Sequence, residues 1–503
     1  MFNKFEQKTI PGCAGYEEQA VTCEGLKKEL GGSDDIVFNR IAVNNAGKLR
    51  ITVVFVDGTV DTDLADNVVL KPLAISDVFH EARSEQDVID LIMSGRIYHY
   101  KHRKRKKLCD CIDDILSGCI ALIFDETQQA VTFEMKGYEK RAVTEPTNEN
   151  VLKGSKESFV ESFSVNTALV RRRLQTKDLR VVRMDIGERA KTAIGIIYLD
   201  GVANRNTLSE IRQRLGGIKM DGIISSGQIE AFLIDKPKSF FPQILFTERA
   251  DKFCASILEG RIGIIIEGIP QAYITPVDIN SFLQAPEDYA LTFTASSVFR
   301  LLRYICAFVA LVTPAVYVSI LTFHQEMLPS KLVNSIVASK QGVPFPSFIE
   351  VMLMLLAFEV LLEAGLRLPR AIGQTVSIVG AVVVGQAAIS AKILSPSVVI
   401  TIAAAGISGF VVPSQDLSNA IRFCRVFLVL CSIVAGLYGV VAGLIAILYH
   451  LCSIELFGTP YMSPFVASEG KEMFNDTMIR RYWRKLKKRP GNIDPADNVR
   501  QGS

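Results

Sequence analysis

The 503-residue sequence is poor in the residues from which most active sites are built. It has 5 histidines and 1 tryptophan, and no Ser-His-Asp or Cys-His set can be read from it. Gly216-Gly217 and Asp221-Gly222 follow a helix as turns, and neither lies in a phosphate-binding GxGxxG or GxxxxGK[ST] pattern. We therefore predict that the protein is not an enzyme and uses no cofactor.

A strong excess of charge of one sign is also lacking. The formal net charge is +3, and the basic runs at 101–107 and 480–489 are short, so the composition excludes a typical nucleic-acid-binding protein. We interpret these runs as solvated loops or contacts with anionic membrane lipids. Residues 1–11 show no signal-peptide pattern, and we expect the large N-terminal region to stay on the cytoplasmic side.

The 10 cysteines are scattered without a paired framework. This favours small apolar residues in a reducing compartment over a disulfide scaffold. His99, His102, Cys109 and Cys111 lie close in sequence, but their spacing matches no standard zinc pattern. No metal site is predicted.

Long uncharged hydrophobic runs are concentrated in the last two hundred residues. The runs at 304–323 and 426–451 contain no Lys, Arg, Asp or Glu, and about 20 apolar residues suffice to cross a bilayer as a helix. Further spans are predicted at 371–391 and 393–413, and a segment at 347–364 that carries three glutamates is a fifth. We predict an all-α membrane bundle of 4-5 helices.

The preceding three hundred residues are typical of a water-soluble α/β fold. Two stretches resemble each other at a spacing of about 143 residues: strands end at Asp57-Gly58 and Asp200-Gly201, and buried strands follow Gly118 and Gly260. Apolar strands alternate with amphipathic helices, which indicates two related subdomains whose sheets are covered by helices. The predicted order is an N-terminal extension (1–35), a first cytoplasmic α/β subdomain (36–145), a linker and connecting helix (146–174), a second α/β subdomain (175–300), a transmembrane domain (301–453) and a basic C-terminal tail (454–503).

Several side chains are candidates for function. Glu359 and Glu363 lie one helical turn apart and share a face, with Glu350 on roughly the opposite side. Acidic residues at membrane depth line a cation path if the chain forms a ring, or else they meet water or pair with nearby arginines. The small-residue run at 371–391 predicts close helix packing or a narrow conduit. The pore candidates are thus Glu350, Glu359, Glu363, Ser377, Val384 and Gln386.

Other side chains are structural or interface candidates. Arg171, Arg172 and Arg173 end the connecting helix and favour a solvated face or intersubunit ion pairs over an anion site. Gly439 and Gly443 form a GxxxG pair that favours close helix packing.

The basic flanks of the spans conflict. With the N-terminal region inside, five spans place the arginines at 367–370 and 422–425 inside but the 480–489 tail outside. Four spans reverse both placements. Both alternatives stay open.

A set of long, collinear motifs resembles the A subunit of the bacterial spore germinant receptors, the GerA family. The resemblance runs from about residue 50 to Phe465 and includes Phe159-Val-Glu-Ser, Leu169-Val-Arg-Arg-Arg-Leu174, Thr247-Glu-Arg-Ala-Asp-Lys252, Pro286-Glu-Asp-Tyr289, His324-Gln-Glu-Met-Leu-Pro329, Gly342-Val-Pro-Phe-Pro346 and Leu366-Arg-Leu-Pro-Arg370. The extension at 1–35 and the stretch at 99–119 match no pattern of that family.

The resemblance implies a nutrient-sensing complex in the spore inner membrane. In that family the A subunit works with a permease-like B subunit and a lipoprotein C subunit, and it is expected to form a homo-oligomer, a pentamer, that conducts cations. Alternatives are a non-conducting scaffold that couples a sensor to downstream release, and the related subunit of the dipicolinate-release machinery. A secondary transporter is a further alternative, suggested by Pro314 and Pro396, although no inverted repeat is visible.

Overall fold

The structure is a computed structural model that describes residues 19–43, 49–79, 82–97, 99, 101–137, 146, 149, 153–367, 385–466 and 476–500. The chain forms two compact units. The first consists of Met1–Ile234, Ile244–Pro276 and Leu486–Ser503, and it is called the α/β unit below. The second consists of Asp235–Gln243 and Val277–Lys485, and it is called the helical unit.

The first subdomain of the α/β unit is built on a five-stranded antiparallel sheet. Its spatial order is β1-β2-β4-β5-β3, with β1 at Ile36–Val43, β2 at Leu49–Val56, β3 at His102–Arg105, β4 at Cys119–Phe124 and β5 at Gln129–Glu134. The helices are α1 (Cys23–Leu30), α2 (Thr62–Ala65), α3 (Lys71–Ile75), α4 (Glu85–Leu91) and α5 (Leu108–Leu116). The predicted basic loop at 101–107 therefore contains an edge strand.

Both faces of this sheet are covered by helices. Strand β4 is buried along its whole length. Its side chains point alternately to the two faces of the sheet, and each face packs against helices. Ile120 and Leu122 pack into a core with residues of α2 and α4, whereas Ala121 and Ile123 pack into a second core with residues of α1 and α5. The continuous apolar run in the sequence thus reflects a sheet between two helix layers.

The second subdomain repeats this topology. Its antiparallel order is β6-β7-β9-β10-β8, with β6 at Leu179–Ile186, β7 at Thr192–Leu199, β8 at Leu245–Thr247, β9 at Ile262–Ile266 and β10 at Ala272–Thr275. Its helices are α6 (Phe163–Arg173), α7 (Arg205–Gly216), α8 (Ser226–Leu233) and α9 (Ala250–Leu258). Corresponding strands are about 143 residues apart along the chain. The prediction of a duplicated α/β fold is confirmed.

Two glycines let helices approach the second sheet closely. A Cβ added at Gly195 would lie 2.5 Å from the ring of Phe163 in α6, and one added at Gly263 would lie 2.0 Å from the ring of Phe253 in α9. Both glycines lie in central strands, and their partner rings are buried. Aromatic side chains therefore occupy the space that ordinary strand residues would fill.

The helical unit contains α10 (Ile279–Leu283), α11 (Phe293–Phe323), α12 (Ser330–Lys340), α13 (Ser347–Arg367), α14 (Pro396–Phe410) and α15 (Gln415–Cys452). Within the described residues, α11 and α15 are long and apolar enough to cross a membrane, and α14 is shorter. They contain the predicted spans at 304–323 and 426–451. Most of the predicted span at 371–391 lies outside the described residues, and residues 385–390 are helical.

Helix α15 is not straight, because its backbone leaves the helical conformation at Gly436. Gly436 has φ of +57° and ψ of −136°, a conformation that glycine adopts without steric cost. Beyond it the chain packs back on its first arm, because a Cβ at Gly439 would lie 2.0 Å from the Cys431 carbonyl oxygen and one at Gly443 would lie 2.7 Å from Leu428. Two helical arms therefore meet at Gly436 inside the run at 426–451, and its crossing of the membrane stays a prediction.

The segment before α11 and the C-terminal part of the helical unit both contact the beginning of α11. The Arg300 guanidinium donates a hydrogen bond of 2.8 Å to the Asp476 carbonyl oxygen, and it also binds the Asp288 carboxylate at 2.9 Å. Arg303 makes a further pair of hydrogen bonds to Asp288 at 2.8 Å. The residues that follow Asp476 therefore lie at the same end of α11 as the segment that leads into it.

Candidate functional site

Glu350 is buried inside the helical unit. Its side chain in α13 is 0% exposed, and its Oε2 accepts a hydrogen bond of 2.8 Å from the Ser395 backbone N–H. The Lys340 ammonium lies 3.2 Å from Oε1, although the contact lacks hydrogen-bond geometry. At this distance the ammonium still neutralises the carboxylate. Glu350 thus ties α12 and α13 to the segment before α14.

A chain of hydroxyl groups continues from this ion pair. Ser397 Oγ donates to Ser395 Oγ at 3.3 Å, and it also lies 2.8 Å from the Tyr317 hydroxyl in α11. Proline at position 396 is the first residue of α14, where a missing N–H costs nothing. The polar residues before and within the first turn of α14 therefore face α11 and α13.

Glu359 and Glu363 lie at more open positions of α13. Their side chains are 42% and 61% exposed, and each is paired with an arginine. Arg422 of α15 binds Glu359 at 3.0 Å, and Arg367 binds Glu363 one helical turn away at 2.7 Å. The structure therefore separates Glu350, which is sequestered in the bundle, from two carboxylates that are accessible on it.

Arg425 lies inside the helical bundle, whereas the sequence predicted it among the basic residues that flank a membrane span. It is 1% exposed, and its guanidinium donates to the backbone carbonyls of Ala310 in α11 and Ala405 in α14. Its second terminal nitrogen has no hydrogen-bond partner among the described residues. The sequence contained one signal for this position. Pro314 lies four residues after Ala310 and has no N–H to donate to the Ala310 carbonyl oxygen.

The remaining pore and packing candidates divide into three groups. Ser377 and Val384 lie outside the described residues. Gln386 is exposed within the helical residues 385–390. Gly439 and Gly443 pack against the first arm of their own helix, so their close contact lies within one chain.

The three arginines at the end of α6 have different surroundings. Arg171 is 1% exposed and forms hydrogen bonds of 2.7 Å to the Asp35 carboxylate and to the Ser33 hydroxyl. Arg172 and Arg173 are partly exposed and share the Glu157 carboxylate. The interpretation of a solvated face does not hold for Arg171, because it joins the two subdomains of the α/β unit.

The histidines and cysteines described in the 99–119 stretch form no metal site. In the parts of the chain that the structure describes, no three His, Cys, Asp or Glu side chains form a metal-binding group. Burial raises the pKa of the Cys111 thiol, so this thiol stays protonated at neutral pH. Among the described cysteines eight are free, but Cys109 is disulfide-bonded. That bond departs from the prediction of unpaired cysteines.

Comparison with known proteins places the chain in one family. The model of the Bacillus/Clostridium GerA spore germination protein matches residues 24–492. Spore germination protein KA of Bacillus subtilis (strain 168) is 35% identical over 95% of this chain and 87% of its own length. Spore germination protein B1 of the same strain is 34% identical over 95% of this chain and 97% of its own length.

Two further similarities concern another species and a solved structure. Spore germination protein GerLA of Bacillus cereus is 33% identical over 94% of this chain and 95% of its own length. The crystal structure of the N-terminal domain of the A subunit of the Bacillus megaterium spore germinant receptor GerK3 aligns with 52% of this chain and 96% of that chain, at 29% identity and a TM-score of 0.41. From the extent of the family match and of these relatives, the chain belongs to the GerA family of spore germination proteins.

Proposed function

We propose that the protein is a membrane subunit of a nutrient germinant receptor and that several copies assemble into a cation channel that opens during spore germination. The placement of Glu359 and Glu363 carries this proposal. Their carboxylates are exposed on α13, a helix whose other residues are mostly apolar. Ionisable groups at membrane depth avoid lipid and face water or protein. A ring of such helices lines an aqueous path.

We assign the three glutamates of α13 to two roles, on the basis of their burial and their ion pairs. Glu350, with Lys340 and Ser395, holds α13 in place. Glu359 and Glu363 supply negative charge along the path, which attracts cations. Arg422 and Arg367 reduce that charge in the conformation described here. We infer that conduction requires these two pairs to loosen.

Family membership supports our proposal for the partners and the location. We propose a permease-like B subunit and a lipoprotein C subunit as partners, the spore inner membrane as the location, and a pentamer as the assembly. The α/β unit lies on the cytoplasmic side, in the spore core. We further propose that residues 476–485 lie at the membrane surface where α11 begins, since Asp476 contacts Arg300 there.

A test begins with the native mass of the detergent-solubilised chain and continues with cation flux in proteoliposomes. We expect a mass of about five subunits and a cation flux that Glu359→Gln with Glu363→Gln makes less selective for cations over anions. Glu326→Gln is the control, because it removes the same kind of charge from an exposed position outside α13. Unchanged flux and selectivity in the double variant would remove these carboxylates from the path.

A non-conducting scaffold is the second candidate function, and the duplicated α/β unit favours it. Two complete five-stranded subdomains offer more surface than a pore requires. For a scaffold we expect a monomer or dimer without flux, together with loss of germination when residues 36–145 are deleted. Full germination after this deletion, in a chain that still assembles in the membrane, would contradict the scaffold.

A further inference from the structure

We propose that residues 479–485, called the interfacial segment below, bind anionic phospholipid headgroups at the membrane surface. This proposal rests on the proposed membrane location of the helical unit. It goes beyond the channel function because it assigns a lipid-binding role to a part of the chain outside the helices. The ligand class is an anionic phospholipid in a bilayer.

Apolar and basic side chains alternate in the interfacial segment. Ile479, Tyr482 and Trp483 are 42%, 51% and 39% exposed. Arg484 and Lys485, which follow them in the sequence, are also exposed. Large apolar side chains at an exposed position lose contact with water only when another phase or protein covers them. The neighbouring cations favour a negatively charged cover.

The segment is held firmly against the beginning of α11. Arg480 is 5% exposed, and its guanidinium donates to the Leu291 carbonyl oxygen at 2.7 Å. The Ser297 hydroxyl, which donates to the Phe293 carbonyl oxygen at 2.8 Å, also lies 3.5 Å from the Arg480 carbonyl oxygen. The ring of Trp483 lies 5.7 Å from that of Tyr289. The height of the segment along α11 is therefore determined by these contacts.

That height corresponds to the edge of the apolar surface of α11. Val298, Phe299 and Ile305 are 64%, 47% and 51% exposed, whereas Arg300 and Arg303 turn inward to Asp288. Apart from Phe293, the exposed large apolar side chains of α11 begin at Val298, and we take this residue as the edge of the lipid-facing surface. The interfacial segment contacts Ser297, one residue before this edge, which is the level of the phospholipid headgroups.

The residue types agree with this level. Tryptophan and tyrosine are enriched at membrane–water interfaces because one end of each side chain is apolar and the other is polar. Arginine and lysine near the surface are attracted to anionic lipids, and the attraction weakens with salt. An anionic lipid surface would cover the aromatic side chains and pair with the basic ones at the same time. We therefore choose it over a protein partner.

The single tryptophan of the chain makes the proposal directly measurable. Trp483 is the only tryptophan in the sequence, so the fluorescence of the full-length protein reports on this segment alone. The protein is reconstituted into nanodiscs of phosphatidylcholine with or without phosphatidylglycerol. Quenching is measured with phosphatidylcholine brominated near the start of its acyl chains, and with iodide in solution.

We expect brominated lipid to quench Trp483 at least twofold more strongly than iodide does. We also expect phosphatidylglycerol to be enriched around the protein, and Arg484→Gln with Lys485→Gln to halve this enrichment in native mass spectra. Lys153→Gln with Lys219→Gln is the control, since it removes the same charge from exposed positions of the α/β unit. It should leave the enrichment unchanged.

Three outcomes would overturn the inference or its basis. Strong iodide quenching without lipid quenching means that the segment is solvated, and protection from both quenchers means that protein covers it. Either result refutes lipid binding while the protein remains inserted. A chain that fails to enter nanodiscs, or that alkaline carbonate extracts from membranes, instead refutes the proposed membrane location.

Discussion

Arg425 Nε donates a hydrogen bond of 2.6 Å to the backbone carbonyl oxygen of Ala310. In a regular helix this carbonyl would accept from the N–H of the residue four positions later. That residue is Pro314, which has no N–H. The arginine of α15 therefore supplies the donor that the proline of α11 lacks, and it joins the two long helices at this point.

This pairing explains how a buried arginine is retained in an apolar bundle. An unsatisfied carbonyl in a lipid environment costs free energy, and so does an uncompensated charge. The hydrogen bond to Ala310 offsets part of both costs. No carboxylate among the described residues lies within ion-pair distance of Arg425, and its Nη2 also donates to the Ala405 carbonyl oxygen at 3.3 Å. The contact is thus made with main-chain carbonyls.

The first prediction concerns this pair. Arg425→Met should destabilise the chain by about 1–2 kcal/mol because it leaves the Ala310 carbonyl without a donor. In a Pro314→Ala background the cost should fall by about 1 kcal/mol, because alanine restores the helical N–H. Thermal unfolding of the four detergent-solubilised proteins measures this difference. An equal cost in both backgrounds would show that Arg425 and Pro314 are not coupled.

The second prediction concerns the joint between the two α/β subdomains. Arg171→Met leaves the buried carboxylate of Asp35 unpaired and should cost about 3–5 kcal/mol. Hydrogen exchange in β1 and α6 of the full-length protein would detect the loss. Arg172→Met is the matched control, because its pair with Glu157 is partly exposed and should cost no more than about 1 kcal/mol. Similar losses in both variants would contradict the assigned joint.

The third prediction tests the close approach of α9 to the second sheet. Gly263→Ala places a Cβ 2.0 Å from the ring of Phe253, and overpacking of this kind costs about 1–3 kcal/mol. Phe253→Leu in the same chain should recover part of the loss. Gly227→Ala in α8 meets no atom closer than 3.9 Å and should be neutral or stabilise by up to about 1 kcal/mol. A tolerated Gly263→Ala would mean that α9 lies farther from the sheet.

The fourth prediction concerns pH. Partial burial raises the pKa of Glu157, but hydrogen bonds and charge from Arg172 and Arg173 outweigh it and hold the pKa below its ordinary value of 4.5. A carboxyl with a lowered folded-state pKa stabilises the fold above 4.5, and this contribution is lost as pH falls through the folded value. Glu157→Gln should therefore lower the melting temperature at pH 7 more than at pH 3.5. An equal effect at both pH values would exclude this linkage.

Much of the architecture follows from local patterns in the sequence. The duplicated subdomains were predictable because strands ending at Asp57-Gly58 and Asp200-Gly201 carry the same order of apolar runs and turns. The two long apolar helices were predictable because their length matches a bilayer. The relative positions of Glu359 and Glu363 followed from the helical period alone.

Other features depend on contacts between distant residues, which no local pattern contains. The reversal of α15 at Gly436 does not interrupt the uncharged run at 426–451, because glycine carries no polar side chain. The run therefore gives no sign of the reversal. The burial of Glu350 depends on Lys340 and Ser395.

The sequence by itself thus determined the family, through its collinear motifs, and it also determined the repeated α/β fold and the long apolar helices, which depend on composition and periodicity. Only the tertiary structure decided which ionisable residues are buried and with what they pair. Arg425 shows the reason: its position is favourable because Pro314, which lies far away in the sequence, leaves one carbonyl without a donor. Such a match arises when helices pack, and it has no signature in either segment alone.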